Sequence, residues 1–156
     1  MEKGLEKRLV SLFTGELAAI IAFNFVFFYR SLNPNNSYTL IYVFFILNFI
    51  LLQGSFYWFV KWRMLKSKKV IFTSLQKFLI VFKRINLTLI YMAPIILLID
   101  ISVVGRVPFA GFLLTVFIYI FAIVEYINYY HIQLTNYKNG RGKKSSIAKE
   151  ISTYSK

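Results

Sequence analysis

The sequence predicts an all-α, polytopic integral membrane protein with four transmembrane helices, arranged as two antiparallel hairpins. An amphipathic interfacial helix is predicted between helices 2 and 3. Hydrophobic residues make up 58% of the 156 residues, whereas a typical soluble domain is about 45–50% apolar. They occur in four long blocks, which indicates lipid as the solvent. The net charge is +13, and most of the basic residues lie outside these blocks, on one predicted side of the membrane.

Each block is long enough to cross the hydrocarbon core as a helix, which takes about 20 residues. The first block is not expected to be a cleaved signal peptide, because its apolar run is too long and contains Glu16. The third block is the shortest and contains Pro94, which is expected to kink the helix. The spans are predicted at about 10–29, 38–60, 87–104 and 109–130.

The connectors between the blocks differ in length and character. Residues 30–37 and 105–108 are short segments with turn signals, which predicts that each joins two antiparallel helices. Residues 61–86 form a longer connector in which apolar residues recur at helical spacing among lysines. Its apolar part is about 13 residues long, which is short for a span and typical of an interfacial helix. We therefore expect such a helix at about 66–84, with a long, partly protruding start of the third span as the alternative.

The distribution of charge predicts the topology. With four spans, all the basic residues except Arg30 and Arg106 fall on one side. The positive-inside rule then predicts a multi-pass protein of the cell membrane with both termini in the cytoplasm. Residues 135–156 form a basic cytoplasmic tail, read either as a solvated, partly disordered end or as a contact for lipid headgroups or a partner. A short amphipathic helix from Ser145 fits the tail sequence.

Every predicted span carries a polar side chain in the cytoplasmic third of the membrane. An ionisable residue at such depth costs roughly 2.5–3.5 kcal/mol, so each is a candidate for function. Two interpretations stay open. In one, these groups hydrogen-bond across helices; in the other, they line a hydrated pocket where two carboxylates bind a cation, a proton or a partner's base. The predicted polar layer consists of Glu16, Gln53, Tyr91, Glu125 and Asn128.

The stretch EYINYYHIQL, residues 125–134, contains the chain's only histidine, His131. On a helix, Glu125 and His131 are about 120° apart, so they do not form a compact pair. Because the chain also has no cysteine, we assign no catalytic residue and expect neither a metal nor a cofactor. His131 and the tyrosines beside it are typical of an aromatic belt at the membrane interface.

Two further surfaces are predicted to make contacts. Small residues on the first span let another helix approach closely, in the bundle or in a second copy. This helix-packing face consists of Ser11, Gly15, Ala18, Ala19 and Ala22. Basic side chains near an anionic leaflet each add roughly 1 kcal/mol of attraction to lipid headgroups, or they contact a partner. These are Lys66, Lys68, Lys69, Lys77, Lys83, Arg84, Arg141, Lys143 and Lys144.

The favoured function is a small non-enzymatic membrane component that assembles with itself or with a membrane protein partner, as an anchor, sensor or accessory subunit. The alternative is a small oligomeric transporter, channel or lipid translocator that uses Glu16 and Glu125. An intramembrane enzyme is disfavoured by the single histidine and the lack of cysteine. Nucleic acid is not expected as a partner, because the topology already accounts for the positive charge.

Near the outer side, Asp100 is expected to pair with Arg106 or Arg30.

Overall fold

The computed structural model describes residues 2–29, 37–67, 72–104, 109–138 and 141–154. Over these residues the chain forms five helices and one two-stranded hairpin. The elements are α1 (Glu2–Tyr29), α2 (Tyr38–Ser67), α3 (Phe72–Val104), α4 (Phe109–Tyr130), β1 (Ile132–Lys138), β2 (Arg141–Lys144) and α5 (Ser146–Tyr154).

The four long helices, α1 to α4, are each long and apolar enough to cross a membrane. This confirms the prediction of four such helices, which suggest a multi-pass membrane protein. Large apolar side chains, including Ile21, Leu98 and Phe117, are more than half exposed on the outside of the bundle. Contact with lipid would be favourable for such a surface, whereas exposing so extensive an apolar face to water would be unfavourable. The segments are Lys3–Tyr29, Tyr38–Ser67, Leu75–Val103 and Phe109–Tyr130.

Helix α2 lies at the centre of the bundle. Within the apolar 18-residue stretch of α2, 61% of the residues are buried, against 6% in the corresponding stretch of α1 and 22% in those of α3 and α4. Val43, Ile46, Leu47 and Ile50 are at most 1% exposed, because this spacing places them on the side of α2 that faces other helices. Since α2 contacts α1, α3 and α4, polar groups on α2 can bond to three neighbours.

Helix α1 packs along α2 through contacts that run in opposite order on the two helices. Asn24 donates a hydrogen bond to Asn48 at 2.8 Å, and the Trp62 indole donates to Glu6 at 3.2 Å. The N-terminal end of α1 therefore lies beside the C-terminal end of α2. Both contacts use polar groups that would otherwise be costly in an apolar setting.

Among the described residues, the connector between α2 and α3 shows no separate interfacial helix of the kind predicted at about 66–84. Helix α2 continues to Ser67, and one uninterrupted helix runs from Phe72 through Pro94 to Val104. The alternative of a long start to the third span describes this region. No glycine or proline occurs between residues 72 and 93, so nothing in the sequence ends the helix before the membrane span begins.

The C-terminal residues fold back onto the bundle. Strands β1 and β2 pair antiparallel, a hairpin that the all-α prediction did not include. Helix α5 confirms the expected amphipathic helix, and Ile147 on its inner face is 2% exposed. The Ser145 hydroxyl caps α5 by accepting a hydrogen bond from the Ala148 N–H at 3.0 Å, as N-cap serines do. Glu150 of α5 forms an ion pair with Lys61 of α2, which fixes α5 to the central helix.

At the opposite end of the bundle, Asp100 of α3 joins the start of α2. Its Oδ2 atom accepts hydrogen bonds from the Ser37 hydroxyl at 3.0 Å, and from the Thr39 N–H at 3.1 Å and hydroxyl at 2.8 Å. The carboxylate is thus held by the first turn of a helix. The arginines expected to pair with it, at positions 30 and 106, lie outside the described residues.

Candidate functional site

A buried hydrogen-bonded cluster joins α2, α3 and α4. Gln53 Nε2 donates to Asn86 Oδ1 at 3.2 Å, and Asn86 Nδ2 donates back to Gln53 Oε1 at 2.6 Å. The Tyr130 hydroxyl donates to the same Gln53 oxygen at 2.8 Å. All three side chains are at most 6% exposed. A buried network whose members find partners fixes the position of the helices that carry it.

Replacing Asn86 with alanine is expected to lower the free energy of unfolding by roughly 1–2 kcal/mol, because the buried Gln53 amide loses its partner. The triple variant Gln53→Leu/Asn86→Leu/Tyr130→Phe should recover much of this loss, because no polar group of the cluster is then left unpaired. Unfolding of the purified variants in detergent measures both effects. Additive losses in the triple variant would contradict the pairing.

A second polar cluster surrounds Tyr129, where α4 meets α1 and α2. The Tyr129 ring is 5% exposed and lies against Gly54, where a Cβ atom would overlap the ring. Its hydroxyl lies beside the carboxylate of Glu16, and Glu125 is within electrostatic range of both groups. Among the described residues no group meets this buried hydroxyl with full hydrogen-bond geometry.

The structure brings most of the predicted polar layer together but leaves Tyr91 outside it. Glu16, Glu125 and Asn128 are partly buried near Tyr129, and the Asn128 amide donates to Glu125 at 3.5 Å. Tyr91 is 68% exposed on the outer face of α3. Five residues along a helix correspond to about 140° of rotation, so α3 presents Asn86 to the bundle and Tyr91 to its surroundings.

Asn86 and Tyr130 were not among the predicted site residues. On the sequence alone, Asn86 falls in the connector before the third span, and Tyr130 falls among the interfacial aromatic residues. The available signal was their position: both fall next to a predicted span boundary on the side where the other polar groups lie. A polar residue close to the end of a span can either bond inside the bundle or face the membrane interface, and only packing distinguishes these two cases.

A cleft opens between α1 and the C-terminal elements. Its outer part has a volume of about 350 Å³ and carries four basic residues along its wall. These are Arg8, Lys143, Lys144 and Lys149. Its inner part, of about 100 Å³, is lined by Glu16, Asn128 and Tyr129, among others. Leu12, Trp58, Gln133 and Ser146 line both parts, so the basic rim adjoins the carboxylate.

A second cavity, of about 530 Å³, lies between α3, the end of α4 and α5. Lys83, His131 and Lys144 line it together with Tyr130 and Ser152, among others. Lys144 thus borders this cavity and the basic rim of the cleft. Cationic groups from distant parts of the chain therefore meet on one end of the bundle.

The predicted lipid-headgroup contacts have different surroundings. Lys83, Lys143 and Lys144 line the two cavities. The Lys66 ammonium lies 5.3 Å from the centre of the Trp62 ring, a cation–π arrangement. The others are placed as follows: Lys77 and Arg84 are exposed on α3, Arg141 belongs to β2, and Lys68 and Lys69 lie outside the described residues.

His131 follows α4 directly and closes its last turn. Its N–H donates to the Ile127 carbonyl at 2.9 Å, and its ring centre lies 5.6 Å from that of Tyr126. Partial desolvation of the imidazole, together with the positive charge of Lys83, holds the pKa of His131 below its ordinary value. Because protonation is then less favourable in the folded chain, this group lowers stability as pH falls through about 6.5.

Replacing Lys83 with alanine is expected to raise the pKa of His131, because a neighbouring positive charge is removed. The NMR signal of the single histidine, followed against pH in detergent micelles, measures the shift directly. Lys77→Ala is the matched control, since Lys77 is exposed on the same helix and does not line the cavity. An unchanged or lower pKa in Lys83→Ala would show that Lys83 does not act on the imidazole.

The predicted helix-packing face of α1 points mainly away from the bundle. Ala19 packs against the core, but the other members are exposed, and a Cβ added at Gly15 would meet no atom within 4 Å. Within the described part of the chain, this face is therefore not used for close packing. The exposed members are Ser11, Gly15, Ala18 and Ala22.

Among the described residues, no group of three or more histidine, cysteine, aspartate or glutamate side chains could hold a metal ion. No family model, curated protein or solved structure matches this chain. Function is therefore argued from the placement of the residues described above.

Proposed function

We propose that this protein is a non-enzymatic, multi-pass component of the cell membrane that assembles through α1 with a second copy or with a partner membrane protein. The observation that carries this proposal is the exposure of α1. Only 6% of the residues in its apolar 18-residue stretch are buried. In lipid, association depends on close packing of helices, and small residues permit that approach. The exposed small residues of α1 supply such a face.

The four long helices cross the membrane as two antiparallel hairpins, with both termini in the cytoplasm. The pairing of Trp62 with Glu6 and of Lys61 with Glu150 supports this arrangement, since it gathers the N-terminus, the end of α2 and α5 at one end of the bundle. Lys83, Lys143 and Lys144 line cavities at the same end. Such an accumulation of basic residues is typical of the cytoplasmic side.

Native mass spectrometry of the complex, purified gently from its own membranes, tests the assembly. We expect either a fixed number of copies or a fixed ratio to another membrane protein. Gly15→Leu should break the complex, because a large side chain keeps the helices apart. Gly111→Leu is the matched control, since a Cβ at Gly111 also meets no atom within 4 Å but lies on α4. A wild-type chain that stays alone in these membranes would disprove assembly.

The second candidate is a small oligomeric transporter, channel or lipid translocator. It is favoured by the cleft that leads from the basic rim to Glu16, with Glu125 close by. Such a site can be loaded from the cytoplasm and emptied along α1. Glu16→Gln and Glu125→Gln should abolish flux in reconstituted vesicles without loss of expression. Normal flux in both variants would exclude a role for the carboxylates.

A further inference from the structure

The outer part of the cleft is built to attract a phosphate group. Arg8 comes from α1, Lys143 and Lys144 from β2, and Lys149 from α5. None of the described residues that line this part is acidic. Arginine binds phosphate oxygens through a fixed fork of N–H groups, and lysine adds a mobile point charge. The rim therefore favours a ligand with a phosphate.

The inner part has the opposite charge. Glu16 lines it, the second carboxylate, Glu125, is within electrostatic range, and Asn128 adds an amide. Tyr129 also lines it, with its hydroxyl buried beside the Glu16 carboxylate. Two carboxylates close together in an apolar setting are stabilised by a bound cation. The inner part therefore favours a positively charged group.

The size and the donor–acceptor pattern select the kind of cation. A primary ammonium donates three hydrogen bonds, and oxygen acceptors are present on Glu16 and Asn128 in the lining. A quaternary ammonium donates none and is held by aromatic faces instead. A volume of about 100 Å³ is a few times the roughly 30 Å³ that a water molecule occupies in the liquid. This part therefore suits an aminoalkyl group.

We propose that the cleft binds the headgroup of an amine-bearing phospholipid, such as phosphatidylethanolamine. The phosphate lies at the basic rim and the ammonium lies at Glu16. Leu5, Leu9 and Leu12 line the cleft beside the rim, which provides an apolar wall for the start of an acyl chain. The inference deepens the second candidate function and rests on the same cleft, but binding does not require transport.

Trp58 provides a direct reporter, because it lines both parts of the cleft. The chain has two tryptophans, so Trp62→Phe leaves Trp58 as the single tryptophan. In detergent, this protein is titrated with short-chain phosphatidylethanolamine, phosphatidylglycerol and phosphatidylcholine. Phosphatidylethanolamine should bind about tenfold more tightly than either, since one charge-assisted hydrogen bond contributes about that factor.

Two variants test binding of the ammonium end and of the phosphate end of the ligand separately. Glu16→Gln should remove the preference for phosphatidylethanolamine and leave phosphatidylglycerol binding unchanged, which also shows that the variant is folded. The double variant Lys143→Ala/Lys149→Ala should weaken all three lipids alike. Glu6→Gln and Lys77→Ala are the matched controls, because neither residue lines the cleft.

The outcomes are distinct. Equal binding of the three lipids by the wild-type cleft, or a retained preference in Glu16→Gln, would overturn the proposal. Soluble phosphoethanolamine that binds as tightly as the short-chain lipid would overturn the assignment to a lipid headgroup. Absence of flux in vesicles, with the preference intact, would reject the transport function and support the binding site.

Discussion

Replacing Asp100 with alanine is expected to lower the free energy of unfolding by roughly 3 kcal/mol, because a buried charged acceptor that serves several donors is lost. Asp100 is 1% exposed, and its Oδ2 atom accepts hydrogen bonds from Ser37 and from two groups of Thr39. The Ser37 hydroxyl in turn accepts from the Leu40 N–H at 3.2 Å. The carboxylate also lies at the positive end of the α2 dipole.

Unfolding of purified Asp100→Ala in detergent, followed by circular dichroism against temperature or dodecyl sulfate, measures this loss. Asp100→Asn keeps an acceptor oxygen but no charge, so we expect an intermediate loss. Ser102→Ala is the control on the same helix, because the Ser102 hydroxyl is exposed and donates to the Leu98 carbonyl of its own helix. An Asp100→Ala protein as stable as the wild type would mean that Asp100 does not hold the start of α2.

Replacing Gly54 with alanine is expected to cost about 1–3 kcal/mol, as is common when a packed core receives an added group. The added Cβ would overlap the Tyr129 ring, which is buried against α2. On helix propensity alone the same change would stabilise the chain by about 1 kcal/mol. A measured loss would therefore report the contact between α2 and α4, since local preference acts in the other direction.

Two matched variants make the Gly54 result specific. Gly15→Ala and Gly111→Ala add the same methyl group where no atom lies within 4 Å, so neither should lose stability. Combining Gly54→Ala with Tyr129→Leu should restore part of the loss, because the smaller side chain leaves room for the Cβ. If Gly54→Ala proves as stable as Gly15→Ala, the close packing of Tyr129 on α2 is wrong.

The sequence alone determined the four apolar helices, because burial in lipid is decided locally by the hydropathy of about 20 consecutive residues. The fourth was predicted at 109–130, and α4 is Phe109–Tyr130. Helices α1, α2 and α3 extend beyond their predicted spans, since hydropathy marks the part that can lie in lipid and not the whole helix. The spacing of Ile147 and Ile151 also predicts the amphipathic helix α5.

Only the tertiary structure decided which polar groups meet. The sequence placed Gln53 and Tyr91 at one depth, but rotation about the helix axis leaves Tyr91 outside and brings Asn86 to Gln53. The small residues of α1 were equally consistent with an inner or an outer face. Periodicity fixes the positions of residues relative to one another on one helix. The face that turns inward depends on how neighbouring helices fit, as where Tyr129 of α4 fills the space beside Gly54.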